Sequence, residues 1–164
     1  ISNHTVGRQW SENASLAFHF RPGGAAARAE NEAHLLQLIE TQEVELVILA
    51  RYMQILSPEL TARLDGRIIN IHHSFLPSFK GAVPYSRAHE RGVKMIGATA
   101  HFVTPDLDEG PIITQGVADI RHDMTIDDLI DVGRDVERSV LARAVRLFTE
   151  RRILRNGEKT VIFD

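Results

Sequence analysis

Asn70 and His72 end an otherwise apolar run, Arg67-Ile-Ile-Asn-Ile-His72. Side chains at i and i+2 of a strand share a face, so the amide and the imidazole project together. That pairing suits acyl chemistry. The amide can donate to the oxyanion of a tetrahedral intermediate, while the imidazole shuttles a proton or helps hold the charge. The plainer reading is an Asn-x-His that satisfies loose backbone groups at a strand end. His73 is expected on the opposite face if the strand continues that far. Asp108 is the third candidate, in the polar loop Thr104-Pro-Asp-Leu-Asp-Glu-Gly-Pro111 between two apolar runs. A carboxylate there could orient the imidazole and raise its basicity, or hold an attacking water. Asp106, Asp108 and Glu109 could equally be solvated turn residues. Spacing does not separate these readings.

His72, His73, His101 and Asp108 also offer metal ligands. Adjacent residues on a strand diverge, however, and neither H-E-x-x-H nor H-x-E…C-x-x-C occurs, so no metal is expected. His101 alternates with Thr99 and Val103, as a satisfied core histidine or as support for the site. His4, His19, His34, His89 and His122 are scattered, with surface or capping roles as the default.

Strands alternating with helices must position these groups. Ala25 to Gln42 carries an apolar stripe at helical spacing. Val44 to Ala50 reads as a strand covered on both faces. Ser57-Pro58 reads as an N-cap and first helical position. Gly66 marks a stop before the Arg67–His72 strand. Pro77 to Pro84 is a loop punctuated by Pro77, Gly81 and Pro84. A helix from about Ser86 to Arg91 ends at Gly92. Met95 to Val103 and Pro111 to Ile120 are the third and fourth strands, and Thr125 to Arg152 a long helix. Its stripe, Leu129, Ile130, Val136, Val140, Leu141, Val145 and Phe148, packs on the sheet or serves a subunit contact, as in a homo-oligomer. Asn156-Gly157 lies between Ile153-Leu154 and Val161-Ile-Phe163, the pattern of a terminal hairpin. The fold expected is an open α/β sheet, mostly parallel, with helices on both faces. Ligands of such sheets sit outside the carboxyl ends of the strands.

With 164 residues, 43% hydrophobic and 25% charged, the chain suits one globular domain with a sizeable core. A net charge of −3 gives no basis for expecting nucleic acid. The absence of cysteine excludes a thiol nucleophile and thiolate metal sites and fits a reducing, cytoplasmic setting. No run approaches the roughly 18 apolar residues of a membrane span, and no secretory signal is visible. The chain opens Ile1-Ser-Asn-His4 and is read as a fragment of a longer protein.

Several ordered motifs resemble the formyltransferase-fold family: Ile69-Asn-Ile-His-His-Ser-Phe-Leu-Pro77, Lys80-Gly-Ala82, Gly97-Ala-Thr-Ala-His-Phe-Val103 and Leu107-Asp-Glu-Gly-Pro-Ile-Ile113. The resemblance runs from about Val44 to Phe163, more weakly before it. Within the family, the deformylase branch is most similar. The features are Leu49 to Leu56, the doubled His72-His73, Glu90 to Gly97, and Gly133 to Glu137; transferases usually carry another residue, often proline, at position 73.

The resemblance implies a Rossmann-like fold whose first strand and helix, and an N-terminal regulatory ACT domain, lie outside this chain; residues 1–164 would be one catalytic domain. It implies hydrolysis of 10-formyltetrahydrofolate to formate and tetrahydrofolate, supplying formate for purine synthesis, or else formyl transfer to an amine such as glycinamide ribonucleotide. Folate is then substrate, water the second reactant, and no cofactor is implied. Asn70 takes the oxyanion role and His72 the acid/base role, and Asp108 positions His72 and the attacking water. Met53, Gln54, Ile55 and Leu56 would form one wall of the folate pocket, and the loop with Val103, Thr104 and Asp106 the other. An apolar wall suits a flat pteridine, and loop backbone groups can read its hydrogen-bonding edge.

Overall fold

The computed structural model describes residues 1–52, 54–76 and 84–163 and divides into two units, Ile1–Glu45 and Leu46–Asp164. The first holds helix α1 (Arg8–Asn13), a 3₁₀ turn (Ala25–Ala27) and α2 (Arg28–Thr41). The helix expected from Ala25 is therefore present, with its first turn wound tighter. Arg21 fastens the preceding loop to it, donating to Asn31 Oδ1 at 3.2 Å and to Glu30 Oε1 at 2.8 Å.

The second unit runs β1 (Val47–Ala50), α3 (Pro58–Arg63), β2 (Ile68–His72), α4 (Pro84–Glu90), β3 (Met95–Phe102), β4 (Ile112–Asp119), α5 (Ile126–Thr149), β5 (Ile153–Asn156) and β6 (Lys159–Ile162). Ser57 caps α3, its Oγ accepting from Leu60 N at 3.2 Å, with Pro58 in the first turn. Thr125 and Asp128 form a reciprocal capping box on α5, which satisfies amides that the first helical turn leaves open. β5 and β6 pair antiparallel through a two-residue turn, with Gly157 at φ 60°. The loop expected at Pro77–Pro84 and the Lys80–Ala82 motif fall almost wholly outside the described residues.

The open sheet has the order β1-β2-β3-β4. Its directions correct the mostly parallel expectation. β1 and β2 are parallel, but β2–β3 and β3–β4 are antiparallel. The physical reason is that a strand buried on both faces shows a continuous apolar run whichever way its neighbour points. All five residues of β2 are buried, as are seven of the eight in β3.

Register sorts the sheet into two faces. Ile69 pairs with Phe102 and Ile71 with Ala100, whereas Asn70 pairs with His101 and His72 with Thr99. Residues directly opposite share a face. Ile69, Ile71, Ala98, Ala100, Phe102 and Ile113 pack with Val140, Ala144 and Leu147 of α5, flanked by Val136, Leu141 and Phe148. Of the stripe expected on α5, Val136, Val140, Leu141 and Phe148 thus pack on the sheet. Gly116 permits the close approach, since a Cβ there would lie 2.7 Å from Val140 Cγ2. Among the described residues no helix is long and apolar enough to cross a membrane.

Candidate active site

Alternation along β2 turns Asn70 and His72 away from α5, and the antiparallel register lays Thr99 and His101 beside them. Asp108 reaches the same face from the loop between β3 and β4. Because β3 runs antiparallel, its carboxyl end lies beside Ile69, near the start of β2. The loop after it folds back along the polar face. Phe102 N donates to Pro111 O at 2.9 Å, Val103 N to Ile68 O at 3.0 Å, and Thr104 Oγ1 to Asp106 O at 3.1 Å. Two backbone features make the reversal. Asp108 adopts a left-handed φ of 56°, which Asp tolerates better than most residues. Gly110 sits so close to Phe102 that a Cβ would come 1.8 Å from its carbonyl oxygen.

Asp108 thereby meets three side chains. Oδ2 lies 3.2 Å from His72 Nδ1; Oδ1 lies 3.5 Å from Asn70 Nδ2 and 3.6 Å from His101 Nε2. A carboxylate only accepts, so His72 offers Nδ1–H to it, which leaves Nε2 as the nitrogen that can exchange a proton with a substrate. The side chains of His72 and Asp108 are only 8% and 11% exposed. In such surroundings a charge-assisted contact is stronger than on the surface. Asn70 Oδ1 is buried with no hydrogen-bond partner among the described residues, an acceptor open to a bound water or substrate.

His101 lies beneath the pair, 2% exposed. Its Nδ1 is 2.8 Å from the Phe102 carbonyl oxygen and must donate to it. Burial holds its pKa below the ordinary histidine value, opposed by that carbonyl and by Asp108. A neutral ring bonded in this way turns the Nε2 lone pair toward Asn70 Nδ2, 3.4 Å away. His101 is thus a buried histidine whose free ring nitrogen faces the Asn70 amide.

The condition for an opposite-face His73, that the strand continue to it, is not met. β2 ends at His72, alternation stops there, and the two imidazoles stack with centroids 4.9 Å apart at 23°. The turn that follows is anchored by residues the sequence reading did not assign to the site. Thr99 Oγ1 donates to Ser74 O at 2.9 Å and accepts from Leu76 N at 3.1 Å, and Gln115 Nε2 donates to Thr99 Oγ1 at 3.0 Å. Thr99 could be found through its alternation with His101. Gln115 could be found only from the β3–β4 register.

Gln54, Ile55, Leu56, Val103, Thr104 and Asp106 line one small cavity together with Asn70, His101 and Asp108; Leu49 and Tyr52 join them, and Met53 lies outside the described residues. Its volume is about 30 Å³, close to the share of liquid occupied by one water. A flat bicyclic ligand would have to part the two walls. Among the described residues no His, Asp and Glu side chains group as a metal site.

A formyl transferase family model matches residues 2–145. The chain belongs to the formyl transferase family. Formyltetrahydrofolate deformylase of Bacillus subtilis (strain 168) is 50% identical over all of this chain, which covers 55% of that protein. The crystal structure of formyltetrahydrofolate deformylase from Burkholderia mallei superposes with a TM-score of 0.93 at 57% identity, over 99% of this chain and 58% of that one. Glycinamide ribonucleotide transformylase 1 from Symbiobacterium toebii gives 0.86 at 33% identity, over 99% and 78%. The chain thus spans somewhat more than half the length of the curated deformylases it matches.

Proposed function

We propose that this chain carries the catalytic centre of a formyltetrahydrofolate deformylase, which hydrolyses 10-formyltetrahydrofolate to formate and tetrahydrofolate. The observation that carries the reading is the His72 Nδ1–Asp108 Oδ2 contact of 3.2 Å beside Asn70 on one strand face. The identities to deformylases, 50% and 57% against 33% for the transformylase, favour water over an amine as acceptor.

Water adds to the formyl carbon and gives a proton to His72 Nε2, while Asp108 stays ionised and steadies the imidazolium. The oxyanion takes the Asn70 N–H that rests 3.5 Å from Asp108 Oδ1, while the other N–H stays on His101 Nε2. Collapse breaks the bond from carbon to N10, and His72 returns the proton to N10. Atoms balance without a cofactor: one water enters, and tetrahydrofolate, formate and one proton leave. Gln54, Ile55, Leu56, Val103, Thr104 and Asp106 hold the pteridine as the small cavity widens around it.

The test is the full-length protein with 10-formyltetrahydrofolate and no added acceptor. Stoichiometric formate is expected. Turnover that begins only when an amine such as glycinamide ribonucleotide is supplied would sink the reading in favour of a transferase.

A further inference from the structure

A second cavity, of about 220 Å³ and largely apolar, adjoins the centre; His73, Phe75, Tyr85, Val93, Met95 and Val117 are among its walls. It shares no lining residue with the cavity bordered by Asn70 and Asp108. His73 touches both sides of this division, since its ring stacks on His72 and also borders the apolar space. Among the described residues, packing holds that ring. Its Nε2 is buried with no partner among the described residues, and Tyr85 lies against it with centroids 6.4 Å apart, within the range of a favourable aromatic contact.

Tyr85 is fixed in turn. Its hydroxyl donates to Glu137 Oε1 at 2.7 Å. Gly133 of α5 leaves room for the ring, since a Cβ there would meet the hydroxyl oxygen at 2.2 Å. Burial and the Glu137 contact both push the Tyr85 pKa upward, so it remains a neutral donor. Glu137, Tyr85 and His73 therefore form a braced row ending on the face of the imidazole assigned to proton transfer.

We propose that His73 selects water as the formyl acceptor: its ring closes the reacting centre off from the 220 Å³ cavity, which otherwise admits an uncharged amine of ring size. The inference rests on the deformylase reading. In the suppressed reaction the amine nitrogen bonds to the formyl carbon, the bond to N10 breaks, and the amine proton passes through His72 to N10. Water needs no such cavity.

The experiment supplies the full-length protein with 10-formyltetrahydrofolate and aniline, and measures the ratio of formanilide to formate. Both products come from the same folded molecules, so lost stability lowers both and leaves the ratio unchanged. His73→Ala is expected to raise the ratio by about tenfold or more, the scale on which a reshaped pocket changes selectivity. Tyr85→Ala should raise it less, and His73→Phe, which keeps a ring in place, should stay at the native ratio. An unchanged ratio in His73→Ala overturns the proposal. So does an equal rise in His73→Phe. Where His73→Ala yields no folded protein, an unchanged ratio in Tyr85→Ala overturns it. Native protein that releases no formate overturns the underlying hydrolytic reading, and the proposal with it.

Discussion

The two faces of β2 solve opposite problems with the same backbone. Ile69 and Ile71 face α5 and close-pack with Ala98, Ala100, Phe102, Val140 and Leu147. Asn70 and His72 face Asp108 and His101, where distances of 3.2–3.6 Å bring polar atoms together without tight geometry. One face holds the fold through apolar area removed from water. The other leaves Asn70 Oδ1 buried without a hydrogen-bond partner among the described residues, which costs stability in the resting protein. Buried polar groups are normally satisfied, so Asn70 Oδ1 is an acceptor available to a bound ligand.

Substitutions on the two faces should therefore separate activity from stability. His72→Ala is expected to lower turnover by about two orders of magnitude or more, with a smaller drop in melting temperature than Ile69→Ala. Ile69→Ala should cost about 2–5 kcal/mol of stability by opening a cavity against α5, while the fraction that stays folded turns over near the native rate. Steady-state kinetics and denaturant titration of both variants check this. Comparable rate losses in the two would erase the distinction.

A smaller effect should appear in the pH dependence of stability. The His101 pKa lies below its unfolded value because of burial, so near and below about pH 6.5 the unfolded chain binds the proton more readily. Its contribution is present above that pH and is lost as pH falls toward the folded pKa. Thermal unfolding from pH 8 to 5 should show a decline in the native protein that is shallower in His101→Gln. Parallel curves for the two proteins would show that His101 is not the group responsible.

How much of this was legible in the sequence differs between the same two faces. The polar pair was readable because Asn70 and His72 interrupt an apolar strand at period two. The apolar stripe of α5 was readable for the matching reason at period 3.6. Strand direction was not, because burial on both faces of β2 and β3 erases the alternation that could reveal it. Asp108 was readable as a candidate from its polar loop, but only the family resemblance gave it one role. Its approach depends on a left-handed residue and on the Gly110–Phe102 contact, and neither has a periodic signature. The face of His73 was not readable because nothing in the apolar pattern fixes where β2 ends. Helix α1, six residues with none buried, gave no apolar pattern to read.

The central claim is that His72 and Asp108 act as one unit on the polar face of β2, joined at 3.2 Å. The most direct test is the turnover of His72→Ala, Asp108→Ala and the double variant with 10-formyltetrahydrofolate. Residues that work as a unit are strongly non-additive, so the double variant should lose little more than the more damaged single variant. Losses that multiply, with the double variant slower by the product of the two single effects, would contradict a shared role.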